Sequence, residues 1–250
     1  MTKSDRACIV IPARYASSRY PGKPLVPLLG KAMILWVAEL SSRAIGVEHV
    51  YIATDDERIR QSVEVAGFKA LMTSPNALTG TDRLAEAAEQ IDYDIYINVQ
   101  GDEPLVAPDD ILRCLALKAE HLDHVINGFT WITPEEDPGS VHIPKVITNE
   151  AGRLVYMSRR QLPGYKDPAQ APERYKKQVC IYGFNQDELS AFRAFGRKSK
   201  LEKSEDIEIL RFLDLGRPIL MYECSAGSLA VDTEDDVARV EDAMRRRCLA

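Results

Sequence analysis

Short apolar runs rich in β-branched residues alternate along the chain with segments whose apolar positions recur every three to four residues. Cys8–Ala13, His49–Asp55, Lys69–Thr73 and Asp94–Asp102 read as strands, and their nearly continuous apolar character suits a parallel sheet covered on both faces. Ala32–Ala44, Glu57–Ala66 and Asp82–Ile91 have helical spacing, with Gly67 placed to end the second helix. Pro108-Asp109-Asp110 starts another helix with acids in its first turn, where the helix dipole favours them. Repeated alternation of this kind predicts an α/β fold, a mostly parallel sheet with helices on both faces.

From His124 the order changes. His124–Ile132 reads as a strand, then come an acidic, Pro-containing loop to Pro144, a hairpin-like Lys145–Ser158 turning at Asn149-Glu150-Ala151-Gly152, and a polar loop to Lys177. We therefore expect one domain over residues 1–250 with an inserted β-rich subdomain at about 124–185, an arrangement suited to substrate walls or dimer contacts. Alternation resumes with a strand at Val179–Phe184, helices at Asp187–Phe195 and Glu205–Leu215, and a strand at Pro218–Cys224. A last helix follows, with Thr233 as N-cap, Glu234, Asp235 and Asp236 in its first turn and Arg245, Arg246 and Arg247 in its last.

Composition narrows the function. The 250 residues carry a formal net charge of −6, which argues against a dedicated nucleic-acid binder. No apolar run approaches the ~18 residues of a spanning helix, and the first residues are polar, so a cytoplasmic protein without membrane insertion is expected. The five cysteines form no CxxC pair; Cys8, Cys180 and Cys224 fall in apolar runs and read as reduced core residues, while Cys114 and Cys248 are dispersed. Two segments stand out against the acidic background: Arg6–Ala38 holds five cations and no acid, and Arg153–Lys177 holds seven cations and two acids. Local cationic tracts in an acidic chain point to small anionic ligands.

Four segments carry candidate chemistry. The connection after the first strand, Arg14–Lys31, is 18 residues long, far beyond the ~2–6 of an ordinary βα loop, and it lies at the carboxyl edge of the sheet where ligands bind in such folds. Its Arg14, Ser17, Ser18, Arg19 and Lys23 suit a polyphosphate, although it is neither GxGxxG nor GxxxxGK[ST]; an ordinary surface loop is the alternative. Gln100-Gly101-Asp102-Glu103-Pro104 projects a carboxylate from the same edge, where a turn-forming acid and a metal ligand are both open readings. Asp232, before the last helix, could complete a sparse Mg²⁺ site with Asp102, or belong to the helix start. Thr79-Gly80-Thr81-Asp82-Arg83 opens a helix whose first N–H groups and Arg83 could hold an anion, against the simpler reading of an N-cap.

Taken together, Ile11–Leu25 (IPARYASSRYPGKPL), Ala53–Ile59 (ATDDERI), Thr79–Ala87 (TGTDRLAEA), Asn98–Leu105 (NVQGDEPL), Gly152–Pro163 (GRLVYMSRRQLP), Ile181–Phe184 (IYGF) and Val231–Asp236 (VDTEDD) resemble, in order, the CMP-Kdo synthetases, the 3-deoxy-manno-octulosonate (Kdo) cytidylyltransferases. The resemblance implies a Rossmann-like nucleotidyltransferase fold, a homodimer, CTP and Mg²⁺, and a CMP-sugar product for lipopolysaccharide or capsule assembly. It implies a CTP side formed by Ala13, Arg14, Ser17, Lys23, Arg83 and Asp102, with Arg14, Lys23 and Asp102 catalytic and Asp102 and Asp232 holding the metal. Gln100, Gln178, Tyr182 and Glu208 would face the acceptor.

Two departures fall on that acceptor side. The family usually reads KHIGIYAY and EQLR, where this chain has Gln178 in place of the histidine and Ile209 in place of the glutamine. A lost hydrogen-bond partner in a site for a hydroxylated sugar changes specificity strongly. Kdo remains the leading acceptor, with a modified ulosonate or another small carboxylate or phosphonate acid as competitor. A non-catalytic nucleotide-sugar sensor and an NAD-linked oxidoreductase are the readings from other classes; the metal-type aspartates oppose the first and the missing GxGxxG the second.

Overall fold

The computed structural model describes residues 6–16, 20–227 and 229–247. Ser17, Ser18, Arg19 and Cys248, named above, lie outside the described residues. The chain begins with β1 (Ala7–Ala13), a short 3₁₀ turn at Lys23–Leu25 and the two-residue strands β2 (Pro27–Leu28) and β3 (Lys31–Ala32). Then follow α1 (Met33–Ile45), β4 (Val50–Thr54), α2 (Glu57–Val65), β5 (Lys69–Met72), α3 (Gly80–Ala88), β6 (Ile95–Val99) and α4 (Pro108–Glu120), close to the expected elements. The second half contains β7 (Val125–Trp131), β8 (Lys145–Thr148), β9 (Leu154–Ser158), β10 (Lys176–Phe184), α5 (Gln186–Ala194), α6 (Lys200–Glu205), α7 (Leu210–Asp214), β11 (Ile219–Glu223) and α8 (Asp236–Arg246).

The main sheet has the order β11-β7-β10-β6-β1-β4-β5, with the β8–β9 hairpin attached to β10. β1 pairs in parallel with β4 and β6, β4 with β5, and β7 with β11. β10 runs antiparallel to both β6 and β7. It does not resume a βα crossover: the chain returns from β7 through a hairpin arm, with no crossover helix, and so comes back in the opposite direction. Thus β7 and β10, from the stretch expected to carry an inserted subdomain, are strands of the main sheet, and β8–β9 projects from it.

Alternation along each buried strand divides the core. Ile9, Ile11, Ile52, Ile97 and Val99 pack with Ile34, Val37, Ile59, Val63 and Ile111 of α1, α2 and α4 on one face. Cys8, Val10, Ala53, Tyr96 and Tyr182 pack with Leu84, Leu189, Phe192, Leu210 and Phe212 of α3, α5 and α7 on the other. A third cluster, Leu28, Met33, Trp36, Leu105, Val231, Val240 and Met244, fastens α8 against the start of α1. Cys8, Cys114 and Cys224 are buried free thiols; Cys180 is only partly covered.

Two helices differ from the sequence expectation. The helix expected over Glu205–Leu215 is two helices: α6 starts earlier, at a capping box between Ser199 and Glu202, and ends where Asp206 takes a left-handed conformation (φ 51°), before α7 begins. Thr233 is not the N-cap of α8. Its N–H and hydroxyl, with the N–H of Asp232, donate to the Asp236 carboxylate, so the acid of the first helical residue organises the turn that precedes it.

Candidate active site

The site opens at the carboxyl ends of β1 and β6, where they lie side by side in the sheet. A cavity of about 620 Å³ is lined there by Pro12, Ala13 and Arg14, by Lys23 and Pro24 of the long first loop, by Gln100, Gly101 and Asp102, and by Thr79, Gly80 and Arg83 at the start of α3. Val141, His142, Arg159 and Asp206 close its far wall. Two glycines permit the crowding. A Cβ on Gly101 would stand 2.8 Å from the Pro12 carbonyl oxygen, and one on Gly80 would stand 2.7 Å from Nε2 of Gln100.

The first loop is shaped rather than loose on either side of the undescribed residues. Gly22, at φ 74°, donates its N–H to the Tyr15 carbonyl (2.9 Å) and leads into the 3₁₀ turn that carries Lys23, followed by buried Pro24. Lys23 Nζ donates to Oδ2 of Asp102 at 2.7 Å and lies 3.7 Å from Oδ1 of Asp232. The two aspartates, 130 positions apart in the chain, meet because Val231 donates its N–H to the Asp102 carbonyl (3.0 Å) while the α8 cluster buries Val231. Arg14 stands exposed at the cavity wall.

The donor set suits a divalent cation of a particular kind. Two carboxylates converge on one ammonium position, and among the described residues no group of three or more His, Cys, Asp or Glu side chains is placed to hold a metal. A hard cation such as Mg²⁺ is commonly held by one or two carboxylates with waters and substrate phosphates completing the shell.

Gln100 and Glu208 are brought together, and Arg83 is committed elsewhere. Gln100 Nε2 donates to Oε1 of Glu208 (3.0 Å), whose Oε2 accepts the Thr81 N–H (3.0 Å). The Glu208 carboxylate is desolvated even though the residue keeps some exposure, and this raises its pKa above the ordinary carboxylate value against the hydrogen bonds that lower it. Arg83 touches the cavity, but its guanidinium donates to Asp55 (3.0 Å) and to the Thr73 hydroxyl (2.5 Å), pinning the start of α3 to the loops after β4 and β5.

Gln178 and Tyr182 pair with each other on β10 and are not among the cavity-lining residues. Gln178 Nε2 lies 3.3 Å from Tyr182 Oη and 3.2 Å from Asn127 Oδ1. Burial holds the Tyr182 phenol well above its usual range, and the neighbouring Cys180 and Glu208 add to the rise. Ile209 is buried in the apolar core on the α3 face, so the family's polar position is here a packing contact.

The far wall was not assigned from sequence. Arg159 belongs to the β9 arm, and its guanidinium donates to the carbonyls of Glu205 (2.5 Å), Val141 (2.9 Å) and Asp206 (3.0 Å), tying the arm to the end of α6. The cationic tract Arg153–Lys177 contained the signal without singling out this residue.

A cytidylyltransferase family model matches residues 8–219. The chain belongs to the cytidylyltransferase family. It is 39% identical over 248 residues, 98% of this chain and 99% of the other, to a 3-deoxy-manno-octulosonate cytidylyltransferase of Myxococcus xanthus. An 8-amino-3,8-dideoxy-manno-octulosonate cytidylyltransferase of Shewanella oneidensis is 38% identical over 239 residues, covering 93% of this chain and 96% of that one. The solved structure of CMP:2-keto-3-deoxy-manno-octonic acid synthetase complexed with CTP superimposes with a TM-score of 0.89 at 37% identity, over 97% of this chain and 100% of the other. The cytidylyltransferase is therefore a CTP-dependent nucleotidyltransferase with the α/β fold of that enzyme. Among its described residues no helix is long and apolar enough to cross a membrane.

Proposed function

We propose that this cytidylyltransferase transfers CMP from CTP to the anomeric hydroxyl of Kdo and releases pyrophosphate. The observation that carries the reading is the meeting of Lys23, Asp102 and Asp232 at the sheet edge, in a chain similar over nearly its whole length to enzymes acting on octulosonates. The anomeric hydroxyl of Kdo gives up its proton to solvent as its oxygen attacks the α-phosphorus, the bond from that phosphorus to the bridging oxygen of the leaving pyrophosphate breaks, and the CMP ester forms. The residues contribute mainly position and charge.

Arg14 and Lys23 lie where the triphosphate would enter and offset the charge that builds on the departing pyrophosphate. Ala13, at the end of β1, and Ser17, in the loop that follows it in sequence, complete the CTP side, and Arg83 borders the cavity while its guanidinium fixes the start of α3 to Asp55. Asp102 and Asp232 would hold Mg²⁺, which supplies Lewis-acid stabilisation of the phosphate and lowers the pKa of the acceptor hydroxyl. Gln100 faces the acceptor from the cavity wall with Glu208 fixing its amide, while Gln178 and Tyr182 form a hydrogen-bonded pair on the neighbouring strand that shapes the acceptor side. The family resemblance also supports a homodimer working in the cytoplasm.

A second reading, the same chemistry on an 8-amino octulosonate, is favoured by Gln178 and Ile209 standing where Kdo enzymes usually have histidine and glutamine, and by the Shewanella relative. Pyrophosphate release with CTP, Mg²⁺ and each acid separates them. The Kdo reading expects the larger kcat/KM with Kdo; a larger value with the 8-amino acid overturns it in favour of the second reading.

A further inference from the structure

Lys23 touches both candidate metal carboxylates, at 2.7 Å from Asp102 and 3.7 Å from Asp232. Its side chain is only 13% exposed, so little water intervenes to screen the contact. Its backbone is fixed by the Gly22 turn and by buried Pro24, whereas the four-carbon stem above it can swing without moving the loop. The same side chain borders the cavity that the triphosphate would fill.

We propose that Lys23 is an internal competitor for the divalent cation: with no nucleotide bound, its ammonium neutralises the carboxylates of Asp102 and Asp232 and keeps the metal site weak. The proposal rests on the reading of those two aspartates as the cation's carboxylates. An ammonium and a divalent cation repel each other too strongly to share the same pair of carboxylates at contact distance. An arriving triphosphate gives Lys23 a different anionic partner and frees the aspartates, while its oxygens add the ligands that two carboxylates lack. Nucleotide and metal then bind with positive coupling, and Lys23 is the positioning residue that transmits it. The enzyme thereby avoids holding a hard cation in a nucleotide-free site.

The test is a titration of the nucleotide-free protein with Mn²⁺, with free Mn²⁺ read by electron paramagnetic resonance. Lys23→Met keeps the aliphatic stem and removes the charge, and it should bind Mn²⁺ about tenfold more tightly than wild type, while Lys23→Arg, which keeps the charge, stays within about twofold. Lys23→Gln carries the same expectation should the methionine variant fold poorly. Asp102→Asn serves as the reference for the site itself. If Asp102→Asn loses Mn²⁺ binding but the neutral Lys23 variants bind no more tightly than wild type, the competitor role is overturned and the carboxylate site stands. If Asp102→Asn binds Mn²⁺ as wild type does, the carboxylate site is overturned and the Lys23 proposal with it.

Discussion

Gln100 donates its side-chain amide to Glu208 across 3.0 Å, joining the end of β6 to the turn before α7, and the other Glu208 oxygen takes the Thr81 N–H. One carboxylate therefore fixes two walls of the cavity. Its cost is visible in the raised pKa of Glu208, caused first by desolvation. The folded protein binds this proton more tightly than the unfolded chain, so stability falls as pH rises from the ordinary glutamate value through the raised one and is level above it. Glu208→Gln should remove that slope, so that its unfolding temperature gains on wild type between pH 4 and pH 7 in thermal scans. The same variant should raise the acceptor KM about tenfold with little change in the CTP KM, since it disturbs the orientation of Gln100 and leaves Lys23 and Asp102 in place.

Asp102→Asn should lower kcat by about a thousandfold, the scale of losing a group that stabilises charge in a transition state. Its fold should survive, because the carboxylate is partly exposed and its Lys23 contact lies at the cavity. Steady-state pyrophosphate release together with circular dichroism reads both quantities.

Arg211 behaves differently, as a buried structural fork. It donates to Glu202 (2.7 and 2.8 Å) and to Asp82 (2.7 and 3.0 Å), with its guanidinium 3.7 Å from the Phe192 ring centre. Arg211→Met leaves a fully buried Glu202 without its counter-charge and should cost about 3–5 kcal/mol, read from urea unfolding. The start of α3, which Asp82 helps to form through its contact with Thr79, should loosen with it.

Gln178→His restores the residue usual in the family at a position that contacts Tyr182 and Asn127. If Gln178 tunes the acceptor, the ratio of kcat/KM for Kdo to that for the 8-amino acid should rise at least severalfold, with the CTP KM unchanged. An unchanged ratio would remove Gln178 from the specificity determinants.

Much of the fold was legible because local pattern and tertiary structure agree. The apolar runs of β1, β4 and β6 are buried on both faces, and α2 and α3 begin at side-chain caps, Asp56 and Thr79. Where distant parts of the chain decide, local pattern fell short. The direction of β10 depends on the arm that leads into it, and the break at Asp206 is a single left-handed residue inside a run that reads as helical. The site followed the same division. Lys23, Asp102 and Asp232 were readable from loop length, strand ends and the family resemblance, whereas their convergence depends on the packing of α8 through Val231. Arg159 was hidden among seven cations of one tract, and only the arm's fold brings it to the cavity. Arg83 shows the opposite case: a cation in an anion-binding motif whose fork goes largely to Asp55 and Thr73.

The most direct test of the central claim is pyrophosphate release by the purified protein with CTP, Mg²⁺ and Kdo, with CMP-Kdo followed by mass spectrometry. The account predicts one pyrophosphate per CMP-Kdo, dependence on CTP over the other nucleoside triphosphates, and near-complete loss in both Asp102→Asn and Asp232→Asn. CTP binding without pyrophosphate release from either octulosonate, or undiminished turnover in both aspartate variants, would contradict it.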